Sequence, residues 1–295
     1  MKKDNFSSKM SLASAMVVFG TIGLFVRNID MPSSIIAFIR GAVGAIFLIG
    51  FCLITRKKFS IEAVKEKLLL LCLSGAAIGV NWILLFEAYR YTTVATATLC
   101  YYMAPIFVIV MSSVIYKEKL TAKKICCTLA ALVGMILVSG VTESGISNIG
   151  ELKGVILGVL AAVFYSSVVL MNKSLGSVPA YDKTIVQLIG ASIVIVPYCL
   201  ATVELSGLSF NKESVIMLAV VSIVHTGIAY TLYFGSMKNL QSQTIAIMSY
   251  IDPIVAVILS AAFLKEQMKV LGIIGAVLIL SATFLSEVNI RKHRI

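Results

Sequence analysis

Two stretches of this chain resemble each other and decide its fold: FEAYRYTTVATATLCYYMAPIFVIVMSSVIYKEKLT at residues 86–121 and YFGSMKNLQSQTIAIMSYIDPIVAVILSAAFLKEQMK at residues 233–269. An offset of 148 residues aligns them. The aligned pairs are Gly79 with Gly227, Trp82 with Tyr230, Phe86 with Phe234, Thr96 with Thr244, Tyr102 with Tyr250, Pro105 with Pro253, Ile106 with Ile254, Ser112 with Ser260, Lys117 with Lys265 and Glu118 with Glu266. The chain therefore contains an internal repeat, and a repeat constrains the architecture more than any single motif does.

The rest of the chain is too apolar for an ordinary soluble domain. Of its 295 residues, 59% are hydrophobic and 13% are charged, whereas a typical soluble domain has about 25% charged residues. A bilayer core about 30 Å thick is crossed by about 20 apolar residues. Ten such runs are predicted as membrane spans: 10–27, 33–54, 68–89, 93–115, 122–140, 152–172, 184–203, 214–236, 242–263 and 269–286. The short connections leave no room for a soluble domain, so we expect an all-α integral membrane protein.

The net charge of +11 predicts the orientation of the chain in the membrane. If the N-terminus is cytoplasmic, 18 of the 25 Lys and Arg residues fall on the cytoplasmic side and 6 on the outer side, and Arg40 lies inside the second span. An excess of Lys and Arg in cytoplasmic loops is the usual determinant of orientation. We therefore expect a multi-pass protein of the plasma (inner) membrane with both termini in the cytoplasm. Its expected partners are the lipid bilayer and a small-molecule substrate, and no nucleic acid.

The two copies of the repeat must be inverted with respect to each other. Five predicted spans separate them, and an odd number of crossings means that the second copy enters the membrane from the opposite side. The predicted domains are a first five-helix repeat at 10–140 and a second at 152–287. Inverted repeats around a midplane site are a recurrent design of secondary transporters. A receptor or scaffold has no comparable need for symmetry across the membrane.

The two quoted stretches, together with FIRGAVGAIFL at residues 38–48, resemble the EamA family of the drug/metabolite transporter superfamily. The resemblance extends from about residue 10 to residue 287. It implies ten transmembrane helices in two inverted five-helix repeats, with a central cavity lined by the first, third and fourth helices of each half. It also implies export of amino acids and other small metabolites, or import of nucleosides or related cofactors. A homodimer through the last helices of each half is compatible with it.

Two prolines occupy equivalent places in the repeat. Pro105 and Pro253 lie in the middle of their predicted spans, where each removes an amide donor and frees the carbonyl of Tyr101 or Ser249 four residues earlier. Such a break bends a helix or offers polar groups to a cavity. We predict that Pro105 and Pro253 are gating hinges, and a static packing kink is the alternative.

Two ionisable residues are predicted near the bilayer midplane. Asp252 lies near the middle of the ninth span and His225 near the middle of the eighth. A carboxylate at this depth costs about 2.5–3.5 kcal/mol on insertion scales. Asp252 is a candidate for binding a substrate amine or a proton, and His225 and Asp252 together are a candidate proton-coupling pair. The alternatives are a structural ion pair or hydrogen bond for Asp252 and a satisfied bundle histidine for His225.

Three other charged residues invite mainly structural interpretations. Arg40 in the second span is expected to pair with a carboxylate, and Glu87 at the outer end of the third span is the predicted partner; binding of a substrate carboxylate is the alternative. Glu118 and Glu266 match between the repeats but are predicted to face opposite sides of the membrane. We expect each of them to stabilise the start of the helix that follows it.

Aromatic and polar side chains inside the spans are candidates for lining a substrate site. The equivalent pairs Trp82 with Tyr230 and Tyr102 with Tyr250 lie several residues inside their spans, too deep for interfacial anchors. The predicted substrate-binding residues are Asn81, Trp82, Tyr101, Tyr102, Tyr230, Tyr250 and Asp252. Tyr165 and Phe19 are weaker candidates, and bundle packing is the alternative for the whole set.

The main rival class is an intramembrane enzyme, which needs paired metal ligands or an activated nucleophile. The chain has two histidines, no HExxH, GxSxG or Walker sequence, and six cysteines without zinc-site spacing. We therefore predict no metal, no cofactor and no enzyme activity. The predicted function is a secondary transporter that works by alternating access and exports amino acids or similar small metabolites. Import of a nucleoside-like or cationic cofactor such as S-adenosylmethionine, simple facilitated diffusion, and an intramembrane enzyme are the alternatives.

Overall fold

The structure is a computed structural model, and it describes residues 2–26, 28–92, 97, 100–139, 149–204, 211–263 and 270–287. Some residues used in the repeat alignment and the charge count lie outside the described residues: Arg27, Thr96, Lys265, Glu266, Lys269, Arg291, Lys292 and Arg294. Parts of the first, fourth, fifth and tenth predicted spans lie outside them as well. The described part of the chain is all-helical and contains no strand.

The helices follow one another with short connections. They are α1 (Lys2–Val26), α2 (Ser33–Ile54), α3 (Ile61–Glu66), α4 (Leu68–Tyr91), α5 (Ala104–Ile115), α6 (Ala122–Ser139), α7 (Ile149–Ser174), α8 (Ala180–Thr202), α9 (Lys212–Val220), α10 (Ala229–Ser236), α11 (Ser242–Met248), α12 (Ile251–Phe263) and α13 (Val270–Glu287). A π-helical segment (Val221–Ile228) joins α9 to α10, and a 3-10 turn (Met237–Asn239) follows α10. Residues 212–239 therefore form one continuous helical span.

Six helical spans within the described residues are long and apolar enough to cross a membrane: Asn5–Val26, Ser33–Ile54, Leu68–Tyr91, Leu152–Ser174, Ala180–Thr202 and Lys212–Asn239. Three belong to each half of the predicted repeat. The prediction of six of the ten spans is thus confirmed as helices of suitable length and composition. The other four predicted spans correspond to shorter or interrupted helices, namely α5, α6, α11 with α12, and α13.

Both halves contain a helix break just before the equivalent proline. The chain turns at residues 102–103 before α5 and at residues 249–250 before α12. A proline is tolerated in the first turn of a helix because its missing N–H would have no partner within that turn. Pro105 and Pro253 therefore begin half-helices within their predicted spans, and neither bends a continuous helix.

The first helix of each half packs against helices of the other half. Helix α1 packs against α10 and α12 of the second half, while its equivalent α7 packs against α4 and α5 of the first. Gly79 lets α4 approach α8, since a Cβ there would lie 2.8 Å from the carbonyl oxygen of Ala191. The equivalent Gly227 lets the π-helical segment approach α2, where a Cβ would lie 3.0 Å from the ring of Phe47. The symmetry of the sequence therefore extends to close helix packing at small residues.

The last helices of the two halves, α6 and α13, pack against each other within the chain. A Cβ at Gly134 of α6 would lie 2.7 Å from the carbonyl oxygen of Gly275 of α13. A homodimer through these helices would have to use their other faces.

Glu118 connects the two halves and does not support the start of its own following helix. Its carboxylate accepts a hydrogen bond from the ammonium of Lys173 at the end of α7, and another from the backbone N–H of Ser242 across 3.1 Å. Ser242 is the first residue of α11, so the carboxylate lies at the positive end of a helix in the other half. Its repeat equivalent, Glu266, lies outside the described residues.

Candidate functional site

A continuous row of aromatic side chains runs through the bundle. We call it the aromatic row, and its members in order of contact are Trp82, Tyr230, Phe19, Tyr233, Tyr165, Tyr101 and Tyr102. Successive ring centroids are 5.3 to 6.4 Å apart, which is normal contact for aromatic pairs. The row brings together residues of α1, α4, α7 and α10 with the break before α5. Phe19 and Tyr165, which the sequence ranked as weaker candidates, are integral members of it.

Both aromatic pairs that are equivalent in the repeat meet each other. The rings of Trp82 and Tyr230 pack edge to face, and the hydroxyl of Tyr250 donates a hydrogen bond to the backbone carbonyl of Tyr102 across 3.3 Å. Residues exchanged by a two-fold rotation can touch only when they lie beside its axis. The aromatic row therefore lies at the pseudo-two-fold axis of the molecule.

Arg40 lies at the Trp82 end of the aromatic row. The carbon at the centre of its guanidinium is 4.1 Å from the centroid of the Trp82 ring, which is a cation–π contact. One terminal nitrogen donates a long hydrogen bond of 3.4 Å to the hydroxyl of Tyr230, while Nε is buried without an acceptor. Among the described residues no carboxylate pairs with this guanidinium, so its hydrogen-bonding capacity is largely unused.

The predicted pair between Arg40 and Glu87 is not formed. The carboxylate of Glu87 accepts hydrogen bonds from Arg90 across 2.9 Å and from the hydroxyl of Tyr198 on α8. Helix α4 turns Glu87 toward α8, whereas Arg40 spreads over Trp82, so the two side chains have different neighbours.

Asp252 lies at the opposite end of the aromatic row. Its half-buried carboxylate lies near the Tyr102 side chain, and it pairs with no cation of the described residues. Helix α1 touches the break here, because a Cβ at Gly20 would lie 2.6 Å from the carbonyl oxygen of Asp252. The aromatic row is therefore bounded by a cation at one end and a carboxylate at the other.

His225 and Asp252 do not form the direct pair that their equal depth predicted. The Nε2 atom of His225 lies 2.8 Å from Oγ1 of Thr21, and its ring centroid lies 5.0 Å from that of Phe25. Each of the two ionisable residues is thus contacted by a different residue of α1, and their own side chains share no hydrogen bond or ion pair in the described structure. His225 lies in the π-helical segment, a type of distortion that is rare and frequent at functional sites.

Four of the predicted substrate-binding residues are buried: Asn81, Trp82, Tyr230 and Tyr250. Asn81 is 2% exposed and donates a hydrogen bond to the carbonyl of Ala161 across 2.7 Å, which joins α4 to α7. Tyr250 is fully buried and packs with side chains of α6 and α13. By contrast, Tyr101, Tyr102 and Asp252 are only half-buried and keep accessible surface.

Some features of this region had no signal in the sequence. Thr21 and Tyr198 hold His225 and Glu87, and neither belongs to a recognisable motif. A cavity of about 440 Å³ opens beside the Glu87–Arg90 pair. It is lined by Pro32, Ser33, Ser34, Phe86, Arg90, Tyr198, Thr202, Val203 and Glu204.

Within the described residues no cluster of His, Cys, Asp and Glu side chains has the geometry of a metal site, and the six cysteines are free.

Comparison with known proteins gives matches over both halves. The chain matches the EamA-like transporter family over residues 9–140 and 152–287. It is 30% identical over 292 residues to "Uncharacterized transporter YxxF" of Bacillus subtilis (strain 168), which covers 97% of this chain and 91% of that protein. It is 24% identical over 279 residues to an "Uncharacterized transporter" of Archaeoglobus fulgidus, with 94% of each chain covered.

A solved crystal structure has the same fold. It superimposes with a TM-score of 0.85 at 15% identity, covering 95% of this chain and 96% of that chain. The family match and the transporter relatives identify a multi-pass membrane transporter of the drug/metabolite type, not an enzyme. With its two matched halves and its six apolar spans, this chain belongs to the EamA-like transporter family.

Proposed function

We propose that the protein is a secondary transporter that exports a zwitterionic, amino-acid-like metabolite by alternating access. The observation that carries the proposal is the aromatic row bounded by Arg40 and Asp252, neither of which has a charged partner among the described residues. Unpaired charges are costly in a medium of low polarity. A bound zwitterion with well-separated charges would compensate both of them, with its carboxylate at Arg40, an amine at the far end of its chain at Asp252 and the chain itself against the rings.

The free donors of Arg40 suit a carboxylate. Its Nε lacks an acceptor, and one of its terminal nitrogens makes only a long bond to Tyr230. An Nε–H and a terminal N–H on the same edge of a guanidinium form the fork that binds a carboxylate through two parallel hydrogen bonds. Arg40 is half-buried, so the group is shielded from bulk water but still accessible.

Three related probes test this assignment by thermal shift on the purified protein: L-lysine, cadaverine, which lacks the carboxylate, and L-norleucine, which lacks the side-chain amine. We expect L-lysine to stabilise the wild type most. Arg40→Gln should abolish the preference for lysine over cadaverine, and Asp252→Asn the preference over norleucine. Each preference should amount to about 10- to 100-fold in affinity, as expected for a hydrogen bond to a charged group.

Arg90→Gln is the matched control, because Arg90 is exposed and pairs with Glu87 outside the aromatic row. It should leave all three affinities unchanged. Equal stabilisation by the three probes, or identical behaviour of the Arg40 and Arg90 variants, would contradict the proposal.

Uptake of a nucleoside-like or cationic cofactor such as S-adenosylmethionine is the second candidate. It is favoured by the half-buried ring of Tyr165, which is inclined by only 4° to the buried ring of Tyr233 and offers a flat surface to a base. Adenosine decides between the candidates, since it has a base but no amino-acid group. Stronger stabilisation by adenosine than by L-lysine would favour the cofactor.

We also propose proton coupling through Asp252 and His225 and gating at the breaks before Pro105 and Pro253. The two breaks are linked by the bond from Tyr250 to Tyr102 and by the contact of Tyr102 with Asp252. A proton or an amine at Asp252 would therefore act directly on the joint between the halves. Flux into proteoliposomes that is indifferent to an imposed pH gradient, and unchanged in Asp252→Asn and His225→Gln, would rule out this coupling.

The membrane arrangement that we propose has ten spans in two inverted repeats, 10–140 and 152–287, with both termini cytoplasmic in the plasma membrane. The six clear apolar spans and the distribution of Lys and Arg support it. A fluorescent protein fused to the C-terminus should fluoresce in cells, whereas a periplasmic phosphatase at the same place should be inactive. The opposite pair of results would reverse the orientation.

A further inference from the structure

A second cavity lies apart from the aromatic row, where the chain passes from α7 to α8. Its volume is about 280 Å³, and no member of the aromatic row lines it. It is lined by Gly176, Ser177, Val178, Pro179, Ala180, Lys183, Gly235 and Lys238. The lining joins the α7–α8 connection and the first turn of α8 to the end of α10.

Lys183 presents an uncompensated cation to this cavity. The residue is 1% exposed, yet its ammonium has no hydrogen-bond acceptor and no ion pair among the described residues. The adjacent carboxylate of Asp182 does not serve it, because that group accepts a hydrogen bond from the backbone N–H of Ser60 across 2.9 Å. Burial of an unpaired ammonium is strongly unfavourable unless something in the cavity compensates the charge.

Two further positive groups face the same space. Lys238 lines the cavity, and its side chain lies against the backbone at Gly176, where a Cβ would be 3.3 Å from Lys238 Cγ. Helix α8 begins at Ala180 without a side-chain cap, so the free N–H groups of its first turn also point toward this end. Helix N-termini bind phosphate and other anions for this reason.

We propose that this cavity is a binding site for a phosphate group, carried either by a lipid headgroup or by a soluble phosphate. Donors arrive from three directions, namely two ammonium groups on different helices and the N-terminus of α8, which matches the several acceptor oxygens of a tetrahedral anion. The cavity lining contains no carboxylate. Its volume is near the lower end of ligand pockets, which span about 300–1,000 Å³, so it suits a headgroup better than a whole metabolite.

The test uses the full-length protein in dodecyl maltoside micelles, which contain no phosphate, with thermal unfolding followed as inorganic phosphate is titrated against sodium chloride at matched ionic strength. Phosphate should stabilise the wild type, and Lys183→Met should weaken the apparent affinity at least about tenfold. Lys65→Met is the control, because Lys65 is exposed on the neighbouring helix α3 and does not line the cavity. It should respond as the wild type does.

A second arm distinguishes the two sources of phosphate. Mixed micelles of dodecyl maltoside and phosphatidylglycerol, without inorganic phosphate, should stabilise the wild type and Lys65→Met more than Lys183→Met if the ligand is a lipid headgroup. A response to inorganic phosphate alone assigns a soluble ligand. If neither source stabilises the wild type beyond the salt control, or if Lys183→Met responds in full, the proposal is wrong.

Two expectations keep the test independent of folding. Without any anion Lys183→Met should be at least as stable as the wild type, because it removes a buried unpaired charge. Lys238→Gln alters an exposed side chain and should fold normally while it weakens phosphate binding severalfold. An unaltered phosphate affinity in Lys238→Gln would show that Lys238 does not contribute to the site.

Discussion

Helices α4 and α8 approach each other so closely at Gly75 that a methyl group has no room there. A Cβ at Gly75 would lie 2.8 Å from the carbonyl oxygen of Gln187 and 3.2 Å from the Cα of Gly190. Both are backbone atoms, so no rotamer change can relieve the contact. Gly75→Ala must therefore push the two helices apart, and they belong to different halves of the molecule.

The cost of this separation follows from the packing. Insertion of a methyl group into a close-packed contact costs about 1–3 kcal/mol. The displacement would also strain the 2.7 Å hydrogen bond from Gln187 to the hydroxyl of Ser74, which is fully buried. Alanine has a higher helix propensity than glycine by about 1 kcal/mol, so a control is needed that contains this gain alone.

Gly50→Ala is that control, since Gly50 lies in the interior of α2 and a Cβ there would have nothing within 4 Å. We expect Gly75→Ala to be about 1–3 kcal/mol less stable than Gly50→Ala. The protein has a single tryptophan, Trp82, which is buried in the aromatic row, so its fluorescence during heating reports unfolding at the site. Equal unfolding midpoints for the two variants would refute the close approach of α4 and α8.

Three other predictions concern single contacts. Burial alone would raise the pKa of Glu118, but its hydrogen bonds, led by that from Lys173, outweigh burial, so the pKa is lowered in the folded protein. The ionised carboxylate therefore stabilises the fold at a pH above its unfolded-state pKa. This stability is lost as the pH falls through the folded-state pKa. In Glu118→Gln the melting temperature should therefore fall less on acidification than it does in the wild type. Asn81→Leu should lower stability by about 1 kcal/mol through its lost hydrogen bond, with unchanged affinity for the lysine probe, because the side chain is buried. Tyr250→Phe removes the bond to Tyr102, so proteoliposome flux should change while probe affinity in thermal shift does not; an altered affinity would place Tyr250 in the binding site.

The scaffold could be predicted from the sequence because its determinants are spacing and residue size. The offset of 148 residues pairs Gly79 with Gly227, and both glycines permit a close contact between the halves. The equivalent positions of Pro105 and Pro253 in the repeat likewise indicated where the two helix breaks lie. They did not reveal that each proline starts a half-helix, since a proline is compatible with a bend inside a helix and with a first turn.

The partners of the charged residues could not be predicted in this way. Depth in the membrane fixes one coordinate of Arg40 or His225, but rotation about the helix axis decides which neighbour it meets. In a lipid-facing bundle both sides of a helix are apolar, so the amphipathic pattern that reveals this rotation in soluble proteins is weak. The π-helical segment adds a further rotation just where His225 lies. The contacts of Thr21 with His225 and of Tyr198 with Glu87 consequently could not be predicted from the sequence.

The symmetry of the packing and the asymmetry of the charges have different consequences for transport. Equivalent contacts in the two halves mean that exchanging their conformations breaks and makes similar interactions, so inward-open and outward-open states can have similar energies. Charged groups are not shared in this way, because alanines occupy the positions equivalent to His225 and Asp252. These alanines, Ala77 and Ala104, are buried, which leaves no accessible surface at the mirrored positions for a second carboxylate or imidazole site. A substrate beside the pseudo-axis would therefore meet the same aromatic pair in both states, whereas each charged partner is present in one half only, Arg40 in the first and Asp252 in the second. This difference is what allows ligand or proton binding at Asp252 to favour one state over the other.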